Sequence, residues 1–302
     1  LGDDDGDDTE AATDPSSDKT SVTAEECEDL NFIGDAYLDD LRESLATAVS
    51  EGELTQDEAD ALFANTETAT GPVKVIGGDE DDSILGSNGA DRLQSGDGDD
   101  AVFGGAGDDL IEMGDGADVS GASDRAGVFP DDLRPFQIED AGLSTPSELE
   151  GGNDTIRGGN GADDIADGYG SNELRGENGD DFIVAVDRDG VTPDLVRGGT
   201  GADALVVDQG DTVNTGVGED FVTIDVTAGV DETYQLVTIE DFDPTRDQLE
   251  LEGDDSVLGT GGANVTIEAF DGGATVLVND IAIARVVGGA GLTVSEIFVV
   301  TS

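Results

Sequence analysis

Histidine and tryptophan are absent from this 302-residue chain, and cysteine occurs once, as Cys27. Without histidine there is no Ser-His-Asp or Cys-His nucleophile pair, no His-ligated zinc and no imidazole base at neutral pH. A single cysteine excludes an intramolecular disulfide framework and leaves one thiol free for a cross-link to a partner chain. Basic residues are scarce: 12 Lys and Arg stand against 73 Asp and Glu, a formal net charge of −61. That charge repels phosphate backbones and anionic lipid, so nucleic acid is excluded as a partner. No apolar run approaches the roughly 20 residues that span a bilayer, so membrane insertion is not expected. Aromatic residues make up only 4 % of the chain. What is abundant is glycine, at 45 residues, and aspartate. With no disulfides and no ordinary core at this charge density, bound cations are the expected source of stability.

Residues 1–22 (LGDDDGDDTEAATDPSSDKTSV) are acidic and nearly free of large apolar groups, which predicts a disordered tail. Residues 23–68 predict a helical hairpin. Leu30, Ile33, Tyr37, Leu38, Leu41 and Leu45 recur at three- and four-residue steps, Thr23 and Glu26 make a capping box, and Gly52 is a natural stop. The link Glu51 to Glu58 has the back half of an EF-hand loop. Thr47 and Val49 fall where the first ligands belong, however, and valine cannot ligate calcium, so a plain hairpin is the better reading.

From Gly77 a nine-residue period begins: GGDEDDSIL, GSNGADRLQ, SGDGDDAVF, GGAGDDLIE, MGDGADVSG. After an insertion at 122–148 it returns as LEGGNDTIR, GGNGADDIA, DGYGSNELR and GENGDDFIV, then DGVTPDLVR and GGTGADALV, with degenerate copies at Asp211 and Asp220 closing the array at 223. Glycines at the first, second and fourth places allow positive φ and a tight turn whose carbonyls point inward. The aspartate at the sixth place adds a hard anionic oxygen, and six to eight such oxygens at loose geometry suit Ca²⁺. The aliphatic residue two places later reads as the inward side chain of a short strand. Acidic low complexity alone would not keep that aliphatic partner.

This period resembles the RTX (repeat-in-toxin) nonapeptide G-G-x-G-x-D-x-U-x, and the resemblance covers about half the chain. It implies a mainly β fold, a right-handed parallel β-roll, here with an N-terminal helical hairpin and a C-terminal antiparallel β cap. Two nonapeptides would make one coil, each half on one of two parallel sheets, with calcium ions shared between neighbouring turns. The metal ligands it implies are Asp82, Asp91, Asp100, Asp109, Asp118, Asp154, Asp163, Asp181, Asp194, Asp203, Asp211 and Asp220. Asn172 takes the same place with a neutral oxygen, so its site is expected to be weaker or incomplete. Ser120, at an aliphatic place, marks where the first array frays.

Residues 224–302 lose the period and alternate as strands, with Asn279-Asp280 as a tight hairpin turn. The segment Asp241-Phe242 through Asp247-Gln248-Leu249-Glu250-Leu251 resembles an element that follows the repeats in serralysin-type domains. That resemblance implies a further ion at Asp241 and Asp247. The C-terminal end is similar to type I secretion substrates, which implies an uncleaved secretion signal.

A repeat scaffold does not fix a task, since many activities share it. Three readings stand at this point. The first is a secreted calcium-binding structural or cell-surface protein that folds on extracellular calcium and self-assembles, as a homo-oligomer or filament. The second is the carrier part of an enzyme, although no H-E-x-x-H, G-x-S-x-G or phosphate loop is present and no catalysis is expected. The third is a calcium-dependent binding module for polysaccharide or a surface, for which Tyr169 is the one aromatic candidate. The insertion at 122–148, with Phe129 and Phe136, reads equally as a contact surface or as a cover over the roll.

Overall fold

A computed structural model describes residues 21–23, 31–33, 67–68, 72–79, 81–120, 152–187, 192–260 and 264–301. From Lys74 the chain alternates between two sheets, laying one short strand on each per coil. One sheet has twelve strands and the other eleven, and along the repeat both are parallel. Successive strands of one sheet are 18 residues apart where the period is intact, as with Arg92–Asp97 beside Leu110–Asp115. This is the two-nonapeptide coil of a parallel β-roll.

The aliphatic eighth places form two facing columns. In the twelve-stranded sheet Val75, Leu93, Ile111, Ile156, Leu174, Val196 and Val213 stand in one register row. In the other, Ile84, Val102, Ser120, Ile165, Ile183, Leu205 and Val222 do the same. All but Ser120 belong to one continuous buried core. Each such side chain contributes about 1.5–3 kcal/mol by leaving water. The core is one or two residues wide per strand, as with Ile111 and Met113 or Leu205 and Val207, so it is long and thin.

The array does not fray at Ser120. Thr155–Asn160 pairs directly with Leu110–Asp115, and Asp164-Ile165 with Val119-Ser120, so the coils close across the insertion without a lost register. Ser120 is fully buried in the column, and its hydroxyl finds no partner there. Stacking of the flanking coils, with the aliphatic rows on both sides, fixes the register and tolerates one polar member. The insertion itself lies outside the described residues.

At the N-terminal end the chain departs from expectation. Ser21–Thr23 and Asn31–Ile33 are strands, parallel to Lys74–Ile76 and Ser83–Leu85 respectively, so no helix starts at Thr23. Both fall on the open edge of the first coil. There, unpaired backbone groups favour an added strand over local helical periodicity. Glu67–Thr68, at the end of the predicted hairpin, is likewise a strand and pairs in parallel with the far side of Asn31–Ile33; the rest of the hairpin and of the acidic tail lies outside the described residues.

At the other end the parallel ladders run past residue 223. Val237–Ile239 and Ile281–Val287 extend one sheet, and Gln248–Gly253 and Ile297–Thr301 the other, all in parallel pairing. Ile239 and Val286 continue the inward column, and this is why pairing continues after the glycine turns stop. The antiparallel part of the cap is the meander Val265–Phe270, Gly273–Val278 and Ile281–Val287. Its turn at Asn279-Asp280 has φ of 52° and 65°, the pair of left-handed residues that a tight two-residue hairpin requires.

Candidate metal centre

Each repeat aspartate closes its turn by a bond to the coil before. The Asp82 N–H donates to Asp100 Oδ1 at 2.8 Å, Asp91 N–H to Asp109 Oδ1 at 2.8 Å, and Asp163 N–H to Asp181 Oδ1 at 3.0 Å. Two such ladders run along the two edges of the roll. They cross the insertion, through Asp109 N–H to Asp154 Oδ1 at 2.7 Å and Asp118 N–H to Asp163 Oδ1 at 3.0 Å. One of them ends on Asp247, whose Oδ1 accepts the Asp220 N–H at 3.3 Å.

The second carboxylate oxygen is a different matter. Oδ2 of Asp100, Asp109, Asp118, Asp163, Asp181, Asp194, Asp203 and Asp220 is buried with no hydrogen-bond partner. Each of these residues is almost wholly buried. An ionised carboxylate oxygen left bare inside a protein is costly unless a cation meets it.

The turns hold room for that cation. A Cβ added at Gly158 would collide with both Asp163 Oδ2 and the Gly176 carbonyl oxygen of the next coil. The same convergence of a carboxylate and a carbonyl from one coil on occurs at Gly198, with Asp203 Oδ2 and the Thr215 carbonyl. The missing side chain leaves a cradle lined by hard oxygens. Among the described residues no three acidic or cysteine side chains converge closely enough to hold an ion by themselves, so backbone carbonyls must complete the set. Mixed carboxylate and carbonyl oxygen at flexible geometry fits Ca²⁺. Those aspartates would hold the ion, and the glycine turns would supply its remaining ligands.

The predicted positions are not equivalent. At the first turns the protein engages the second oxygen: Asp82 Oδ2 accepts the Gly78 N–H at 2.8 Å, and Asp91 accepts the Ser87 N–H on Oδ2 and the Ser87 hydroxyl on Oδ1. Asp211 accepts from the N–H groups of Asp194 and Asp208. Asn172 keeps the ladder by accepting the Asp154 N–H at 2.9 Å, but its Nδ2 donates to the Tyr169 carbonyl at 3.2 Å. A donor thus stands where other repeats have a bare oxygen, and it occupies a carbonyl of the turn. Asp241 and Asp247 do meet, around the Thr215 hydroxyl. Asp241 spends its oxygens on the N–H groups of Thr215 and Gly216, and Asp247 Oδ2 takes the Asp243 N–H at 2.7 Å. Neither leaves the bare oxygen that marks the repeat sites.

Two carboxylates outside the sixth place also enter the turns. Asp167 replaces the first glycine of its repeat and is buried against Asp154. Burial pushes both acids up, and the neighbouring Asp154 charge pushes Asp167 far up, while the contact with Asp167 opposes the rise at Asp154. Asp208 has a buried, unpartnered Oδ1, and burial beside Asp211 and Asp187 pushes it up to about 8. Its Oδ2 accepts the Asp187 N–H at 3.1 Å. An aspartate at a glycine place, as in DGYGSNELR, was the available signal.

A family model for the RTX calcium-binding nonapeptide repeat matches four copies in the chain, over residues 76–111 and 150–183. No curated protein matches the chain. The repeats therefore bind multiple calcium ions, and the parallel pairing across 192–223 shows that the same architecture continues beyond the matched segments.

Without a cation, burial is the largest effect on these acids. It pushes Asp109 and Asp194 up to about 8, Asp118, Asp163 and Asp211 to about 7, and Asp100, Asp181, Asp203 and Asp220 to about 6. Backbone N–H bonds oppose the rise at each. A carboxyl whose folded value lies above its unfolded value of about 3.9 binds more protons folded than unfolded. Its penalty is present above the folded pKa and fades as pH falls toward the unfolded one. In chelator, circular dichroism should thus show more β structure at pH 5 than at pH 8. In calcium the order reverses, because protons compete with the ion and the calcium needed for half-folding rises as pH falls. A calcium-free signal independent of pH would contradict this account. Asn172→Asp should lower the calcium concentration for half-folding, with about 1–3 kcal/mol of added calcium-linked stability, measured by calcium-titrated denaturation.

Proposed function

We propose that this RTX calcium-binding repeat protein is a secreted structural protein that folds on extracellular calcium and then self-assembles at or near the cell surface. The observation that carries the reading is the column of bare Oδ2 atoms. It makes the fold conditional on a divalent cation in quantity, which the medium supplies and the cytosol does not, so the chain stays loose before export and orders after it. No helix among the described residues is long and apolar enough to cross a membrane. The C-terminal segment is the proposed secretion signal. No catalytic role is proposed, since the buried carboxylates have a use as ligands and the chain has no histidine.

Assembly is supported by the C-terminal end of the roll. Ile297–Thr301 is the last strand of the eleven-stranded sheet, paired on one side only. Phe298 is 51 % exposed on it and Val300 44 %. Among the described residues no strand pairs with its outer side, and an apolar edge strand is a template for another chain.

Light scattering during calcium addition tests the proposal. Wild type should associate once folded, and Phe298→Lys, which puts a charge on the edge, should fold with calcium and stay monomeric. A wild-type chain that folds and stays monomeric at extracellular calcium levels would overturn self-assembly.

A further inference from the structure

The few cations of this chain are not scattered. The described residues include seven Lys and Arg, and six of them, Lys74, Arg92, Arg157, Arg175, Arg197 and Arg285, lie on strands of the twelve-stranded sheet at places alternating with its buried column. Three are in direct register: Arg157 beside Arg175, and Arg175 beside Arg197. Neighbouring parallel strands are about 4.8 Å apart, so the row presents one guanidinium per coil along the roll axis. Like charges side by side on a sheet are destabilising.

Internal pairing does not neutralise the row. Glu112 accepts from Arg92 at 2.6 Å and from Arg157 at 3.3 Å, and Glu173 accepts from both Arg175 and Arg197. Two carboxylates thus serve four guanidiniums. Arg157, Arg175 and Arg197 stay 38, 30 and 40 % exposed, and Arg157 Nε has no partner. Each guanidinium has five donors in a planar fork, matched to the paired oxygens of a sulfate or carboxylate.

We propose that this face binds a linear anionic polysaccharide, its acidic groups taken in succession by Arg157, Arg175 and Arg197. The net charge does not forbid it, because at physiological salt charges interact over about 8 Å and the row dominates its own surroundings. The width of the row favours a thin chain over a second copy of the protein. The strands carrying the three arginines end in neutral Asn160, Asn178 and Thr200, whereas the neighbouring coils end in exposed Asp97 and Asp115, and a broad acidic partner reaching past the row would be pressed against these.

The test uses the full chain in calcium, with dextran sulfate and hyaluronate as probes and neutral dextran as control, read by isothermal titration. Wild type should bind both anionic polymers and not dextran. The triple variant Arg157→Gln, Arg175→Gln, Arg197→Gln should bind about a hundredfold more weakly. Circular dichroism checks its fold, and the Arg→Lys triple, which keeps the charge, should retain part of the affinity if the Gln triple unfolds. Equal binding by wild type and a folded Gln triple would overturn the proposal, as would wild type binding neither polymer. So would sedimentation showing that the row joins copies of the protein, with wild type assembled in the absence of polymer and the triple dispersed.

Discussion

Everything in this molecule depends on what meets the second oxygen of the repeat aspartate. The first oxygen ties each turn to the coil before it, through an N–H donor that recurs with every coil. The second is buried without a partner at eight positions. A chain carrying 73 acidic groups draws those carboxylates into two lines along a narrow core, where burial and mutual repulsion both resist ionisation. In the proposed reading, calcium converts that liability into the cross-link between coils. The aliphatic columns then define which coils stack, and the ions determine whether stacking is favourable.

The division of labour explains how the fold tolerates its irregularities. Insertion of a long segment after Ser120 leaves the strand register intact because both column and ladder resume at Asp154 and Asp163. Ser120 inside the column and Asn172 inside the ladder are single defects in periodic structures, and each is bridged by intact neighbours. The more serious departures, Asp167 and Asp208 in the turns, place extra negative charge beside the ladder and raise the requirement for cations there.

Much of this was legible in the sequence, because period nine states both the turn and the strand. The aliphatic places from Ile84 to Val222 all proved to be core, and the sixth places all joined the ladders. Legibility failed where long-range pairing outweighs local pattern. Helical spacing near Thr23 and Ile33 gave way to strands added beyond the first coil, since local periodicity says nothing of an open sheet edge nearby. Pairing of Gln248–Gly253 with Phe221–Asp225 joins segments that no fixed period connects, so the parallel extension into the cap was hidden. The arginine row shows the same limit: Arg157, Arg175 and Arg197 each end a nonapeptide, and only the coil makes them neighbours.

On the proposed reading, calcium at the repeat aspartates is a condition of the fold and no ornament on it. Far-UV circular dichroism of the purified chain at neutral pH, in chelator and then with calcium restored, tests it most directly. Little β signal is expected in chelator, with a cooperative gain on calcium addition that further chelator reverses. A full β signal in chelator, unchanged by calcium, would contradict it.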